Sequence, residues 1–145
     1  MSHEELDGFL AAERVCRVAT IGADGHPHVA PLWFAWDGAC IWLYSIVRSQ
    51  RWTDLLRDPR IAVVVDAGTA YQELRGVEVQ GRAEVVGDVP FQTAPGPELV
   101  EPAHLFARKY RGGDTLVPDG RHAWLRIRPQ KLVSWDFRKS PSLRA

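Results

Sequence analysis

Several things are scarce in this sequence, and each shortage narrows what the chain can be. No run of ~18 or more apolar residues occurs, so no transmembrane helix is expected. Neither charge sign is in excess, with 18 basic and 18 acidic side chains, which argues against bulk nucleic-acid binding. Only two cysteines are present, Cys16 and Cys40, both inside apolar runs, and they read as buried, reduced thiols. The opening MSHEELDGFL is acidic and lacks the basic and apolar regions of a signal peptide. A cytoplasmic, soluble protein with no membrane or nucleic-acid partner is therefore expected. GxGxxG, Walker A, GxSxG, HExxH and CxxC patterns are all missing. No nucleophile or acid–base pair stands out, so the catalytic residues are unknown. If the chain is an enzyme, a cofactor must carry its reaction.

What is present reads as one domain of 145 residues, large enough for a hydrophobic core. Ser2 and Glu5 form a capping box for a short helix running to about Glu13. Strand-like runs follow at 15–22, 26–36 and 39–46, with Asp24-Gly25 and Asp37-Gly38 as hairpin turns between them. Pro31 predicts an edge or a bulge in the second run. A helix starts at Ser49 and ends at Asp58-Pro59, with Trp52, Leu55 and Leu56 on its apolar face. IAVVVD at 61–66 reads as a strand buried on both faces. Val77, Val79 and, past Gly81, Ala83 and Val85 share a face of the strand 76–86, and Gly81 suggests a bulge. After a loop at 87–98, Pro102 suits the first turn of another helix, with Leu105, Phe106 and Tyr110 on its inner face. The runs 122–128 and 131–137 both alternate, and Pro129-Gln130 reads as the turn between them. Hairpin-linked strands with a few short helices predict a mainly β, closed antiparallel barrel with helices at its mouth.

Arg48, Ser49 and Arg51 crowd the start of the second helix, where the free N–H groups are already electropositive. Such a composition fits a phosphate site. The other reading pairs these arginines with Asp54 or Glu73, or leaves them solvated. Trp33, Phe34, Trp36, Trp42, Tyr44 and Trp52 lie nearby in sequence and suit either the walls of a flat-ring site or a core. His26 and His28 share a strand face, but no third ligand is suitably spaced, and no metal is expected. His104 and His122 are isolated and default to surface or satisfied histidines.

RVATIGADGHPHVAPLWFAWDGACIWLYSIVRSQRWTDLLRDPRIAVVVD, followed by RGVEVQGRAEVVG, resembles the pyridoxamine 5′-phosphate oxidase-like superfamily of flavin and deazaflavin proteins. The tail GRHAWLRIRPQKLVSWDFRK resembles the C-terminal strands of its actinobacterial members. The resemblance implies a Greek-key split β-barrel, paired as a homodimer with FMN or coenzyme F420 at the subunit interface and a small organic substrate. It places the cofactor phosphate near Ser45, Arg48, Ser49 and Arg51, and lays the ring along Val29, Ala30, Pro31, Leu32 and Trp33. Trp135 would close over the cofactor from the second chain, or belong to the core. F420 has an anionic tail that suits Arg48 and Arg57, whereas FMN needs one compact phosphate site. Arg51 replaces the usual lysine, Gln50 stands where a basic residue is common, and the ending SWDFRKSPSLRA lacks the substrate-phosphate signature. Vitamin B6 oxidation is therefore not expected. The expected activity is an F420- or FMN-dependent oxidoreductase, the alternative a non-enzymatic flavin or haem carrier or sensor.

Overall fold

A computed structural model describes residues 1–92 and 96–140. Part of the loop expected at 87–98 and the last residues of the tail lie outside the described residues. The elements are α1 (His3–Ala12), β1 (Cys16–Ile21), β2 (Pro27–Leu32), β3 (Phe34–Trp36), β4 (Ile41–Ile46), α2 (Gln50–Arg57), β5 (Arg60–Ala67), β6 (Arg75–Val86), α3 (Pro97–Tyr110) and β7 (His122–Asp136). Short 3₁₀ turns at Tyr71–Glu73 and Phe137–Lys139 complete the order. Among the described residues no helix is long and apolar enough to cross a membrane.

One antiparallel seven-stranded sheet runs β2-β1-β5-β6-β7-β4-β3. Its two edge strands are β2 and β3, yet only Trp33 separates them in the chain. One residue spans a few ångströms, so the sheet must roll up until its edges meet at Trp33. The split barrel follows from that connection. The segment 26–36, expected as one strand, is thus two, pairing with β1 on one side of the break and β4 on the other. Pro31 sits in an edge strand as expected, where its missing N–H costs no ladder bond.

Inward side chains of β1, β4, β5, β6 and β7 fill the barrel, with Val18, Leu43, Val63, Val79 and Leu125 fully buried. Leu6 and Leu10 of α1 and Trp52 and Leu55 of α2 pack into the same cluster. A second cluster lies outside the barrel, where Leu99, Ala103 and Phe106 of α3 cover Trp42, Tyr44 and Trp124. Cys16 and Cys40 are buried and free. Burial pushes the Cys16 thiol up to about 12, against weaker pulls from Arg51 and Lys109, so it is unreactive near neutrality.

Five further local expectations are corrected. Leu56, expected on the apolar face of α2, is exposed, since only Trp52 and Leu55 meet the barrel core. β5 buries Ile61, Val63 and Val65 but leaves Ala62 and Val64 half-buried, because only one of its faces meets the barrel core. In β6, Val85 is 43% exposed and Val86 is buried instead, the strand end having passed from the barrel core to the α3 cluster. Runs 122–128 and 131–137 are one continuous strand. Pro129 pairs with Gly81 and Lys131 with Gln80, so Gln130 bulges out and no turn forms. Gly81 is needed there, since a Cβ would lie 2.6 Å from the Arg128 carbonyl oxygen. Finally, Pro97 starts α3 and Pro102 lies inside it, giving up one helical hydrogen bond for a buried position.

Tyr110, on the last turn of α3, holds the corner where the edges meet. Its hydroxyl accepts from the Phe34 N–H at 3.2 Å and lies 2.9 and 2.8 Å from the Phe34 and Arg14 carbonyl oxygens, to which it can donate. Burial pushes its ionisation up to about 12, so it remains a donor. Tyr110→Phe should cost about 1–3 kcal/mol, because the half-buried Phe34 N–H loses its acceptor. Urea unfolding checks this, and an unchanged midpoint would remove the hydroxyl from the account of barrel closure.

Candidate functional site

Ser49 caps α2: its Oγ accepts from the Trp52 N–H at 3.1 Å and donates to the Ile46 carbonyl at 2.8 Å. The first turn contains no acidic residue. Arg51 lies in that turn and folds back toward β4, donating through Nε and Nη2 to Ser45 Oγ at 3.2 and 3.1 Å. The side chain is only 9% exposed and Ser45 is fully buried. No carboxylate among the described residues reaches ion-pairing distance of Arg51. Burial pulls its pKa down, with Cys16 opposing weakly.

The two carboxylates that could have paired with it do not. Glu73 is exposed on the Tyr71–Glu73 turn. Asp54 is fully buried but accepts from Gln50 at 2.8 Å, Thr20 at 3.1 Å and Arg57 at 3.2 Å. Asp54 therefore fastens α2 to β1 and engages Arg57, leaving Arg51 without an anion.

Arg51 opens onto a cleft of about 520 Å³. Ser49 stands beside it, and the end of β2 contributes Pro31 and Leu32, followed by Trp33. Tyr44 and Ile46 come from β4, Phe106 and Arg111 from the end of α3, and His122 from the start of β7. Trp33 stacks on Tyr110 with centroids 4.3 Å apart and planes within 6°. The Arg111 guanidinium lies over the Trp33 ring at 5.6 Å. His122 stacks on Tyr44 at 4.6 Å, and its Nδ1 lies 2.5 Å from Asp119 Oδ2. The cleft lining combines aromatic walls with two guanidiniums and contains no carboxylate. No group of three or more metal-ligating side chains occurs among the described residues.

Of the residues expected from sequence, Pro31, Leu32, Trp33, Ser49 and Arg51 line this cleft, with Ser45 directly behind Arg51. Arg48 does not join them; it lines a neighbouring cleft with Arg121, the two clefts meeting at Ile46. Val29, 62% exposed, and Ala30 lie on the edge strand but off the lining. Trp135 faces Gly76 across the β6–β7 pair, its ring where a Cβ would be 2.5 Å away, and it too is off the lining. Arg57 is spent on Asp54 and the Ile21 carbonyl. Trp36, Trp42, Phe34 and Trp52 are core residues. Arg111, Phe106 and His122 were not anticipated, since nothing near them in sequence marks a site.

A family model described as pyridoxamine 5′-phosphate oxidase matches residues 2–136. The chain belongs to the pyridoxamine 5′-phosphate oxidase family. Within this fold, a conserved hypothetical protein from Mycobacterium tuberculosis is 33% identical over 95% of this chain and 86% of its own, with a TM-score of 0.79. An F420 reductase shares the fold at 23% identity, covering 88% of this chain and 94% of its own, TM-score 0.65. A heme storage protein from Vibrio cholerae does so at 14% identity, covering 90% and 92%, TM-score 0.70. No curated protein matches the chain significantly.

The Asp54 network carries a pH signature. Hydrogen bonds from Gln50, and then from Arg57 and Thr20, outweigh burial and hold its carboxyl below the ordinary value of 3.8. A depressed folded pKa gives stability that is complete above 3.8 and lost as pH falls through the lower folded value. Asp54→Asn should flatten this acid limb of stability. Thermal melts between neutral and strongly acid pH test it, and an acid limb identical to wild type would contradict the assignment.

Proposed function

We propose that the chain binds a flavin-type cofactor, FMN or deazaflavin F420, and acts as an oxidoreductase on a small organic substrate. The observation carrying this reading is Arg51, a buried cation at a helix N-terminus whose only side-chain hydrogen-bond partner among the described residues is the Ser45 hydroxyl. A phosphate is the anion that geometry suits, because guanidinium, hydroxyl and helix N–H groups all donate to it. Arg51, Ser45 and the free N–H groups of the first turn of α2, which Ser49 caps, would hold the phosphate. The free edge of β2 through Pro31 and Leu32, with Tyr44 and Phe106, offers apolar walls and backbone groups to a ring. A volume of about 520 Å³ lies in the range of small-molecule sites. Hydride transfer is the chemistry such a cofactor supplies when bound. The chain's part is to anchor, orient and exclude water. The fold neighbour that is an F420 reductase supports the reading.

A carrier of flavin or haem is the second reading. It is favoured by a lining without a carboxylate and by the heme storage protein of the same fold. Rapid mixing of the reduced, cofactor-loaded protein with electron acceptors separates the two, since a carrier does not turn over.

We further propose a homodimer in the cytoplasm. The outer face of β1, β2 and β5 presents Ala19, Ile21, Pro27 and Ala62 around a shallow apolar depression, a surface better covered than left in water. Light scattering should give twice the chain mass at micromolar concentration, and a monomer there rejects the pairing. Arg51→Gln should weaken FMN or F420 binding by about 1.5–3 kcal/mol, the range for a charge-assisted hydrogen bond. Calorimetry on the folded variant is the check, and wild-type affinity would reject the phosphate role.

A further inference from the structure

Arg111 is the second guanidinium of the cleft, and the cofactor reading leaves it unused. It sits just past the end of α3, its backbone N–H donating to the Ala107 carbonyl at 2.8 Å. Cations are favoured at that end of a helix. Its side chain is exposed and lies over Trp33. Trp33 in turn is fixed by stacking on Tyr110, whose hydroxyl grips the Phe34 backbone. A guanidinium held over an aromatic ring by cation–π attraction spends no N–H group on that contact and keeps its donors for a carboxylate. No acidic side chain among the described residues pairs with Arg111, and none lines the cleft. Asp119, the acid behind His122, is already taken by the His122 ring and by the N–H groups of Arg121 and His122.

We propose that Arg111 is a specificity-determining residue that selects a small organic carboxylate as the substrate. This rests on the cofactor reading above for the word substrate. The anion preference itself needs only the pairing of Arg111 with Trp33. The cleft then has two cationic positions with different tasks. Arg51, buried behind β4, serves the resident phosphate, and Arg111, at the mouth, serves the incoming molecule.

Calorimetry with benzoate and its neutral counterpart benzamide, on wild type, Arg111→Gln, Arg111→Lys and Arg51→Gln, each with and without FMN, tests this. Benzoate should bind wild type better than benzamide by about tenfold or more, the worth of a charge-assisted pair. Arg111→Gln should erase that preference while keeping wild-type FMN affinity. Arg111→Lys should restore it in part, because the charge remains without the two-pronged fork. Arg51→Gln should weaken FMN binding roughly tenfold to a hundredfold and keep the benzoate preference, so failure of the cofactor site and of the substrate site read out separately. Equal binding of benzoate and benzamide to wild type, or no benzoate binding, overturns the proposal. A preference that survives Arg111→Gln, or is lost with Arg51→Gln instead, does the same. Loss of FMN affinity in Arg111→Gln would assign Arg111 to the cofactor and also overturn it.

Discussion

A guanidinium largely removed from water and held, among the described residues, by a single serine hydroxyl is the constraint around which this cleft is organised. Burying a charge is costly unless a partner and hydrogen bonds compensate. The protein does contain a buried acid on the same helix, but Asp54 is saturated by Gln50, Thr20 and Arg57. The two buried charges of α2 therefore face different ways. Asp54 secures the helix to β1, while Arg51 turns to Ser45 and the cleft. Asp54 is thus satisfied within the fold, whereas Arg51, three residues away, meets no carboxylate among the described residues.

The barrel supplies the rest of the site through one topological fact. Because β2 and β3 are opposite edges of the same sheet and consecutive in the chain, closing the sheet places Trp33 at the seam. Phe106, Tyr110 and Arg111 bring the end of α3 to that seam, and His122 opens β7 next to Tyr44. The aromatic stack of Trp33 on Tyr110 is thus both part of the closure and a wall of the cleft. Trp33, at the seam where the barrel closes, therefore also lines the cleft.

Signals confined to a few residues were legible in the sequence. Ser2 and Ser49 cap their helices as their spacing implies, Gly81 marks a bulge, and Arg51 lies in the first turn of α2. Family resemblance added the split barrel, which the family match and the curled sheet both bear out. Features set by distant packing were not legible. Pro129-Gln130 resembles a turn, but pairing along the whole of β6 keeps β7 continuous through it, with Gln130 as a bulge. Pro102 resembles a helix start, but Leu99 packs beneath the α3 cluster and draws the helix back to Pro97. Arg48 and Arg51 look equivalent in one dimension, yet one precedes the cap and the other follows it, so they enter different clefts. Arg111 carries no local mark at all; it matters only because α3 ends beside Trp33.

The most direct test of the central claim looks at Arg51 itself. In nitrogen-15 spectra of the arginine side chains, the Arg51 Nε–H signal can be assigned by its disappearance in Arg51→Lys. If this guanidinium awaits a phosphate, that signal should move and its hydrogen exchange should slow on saturation with FMN or with F420. A signal that stays in place with both coenzymes, at concentrations where either is bound, would contradict the account.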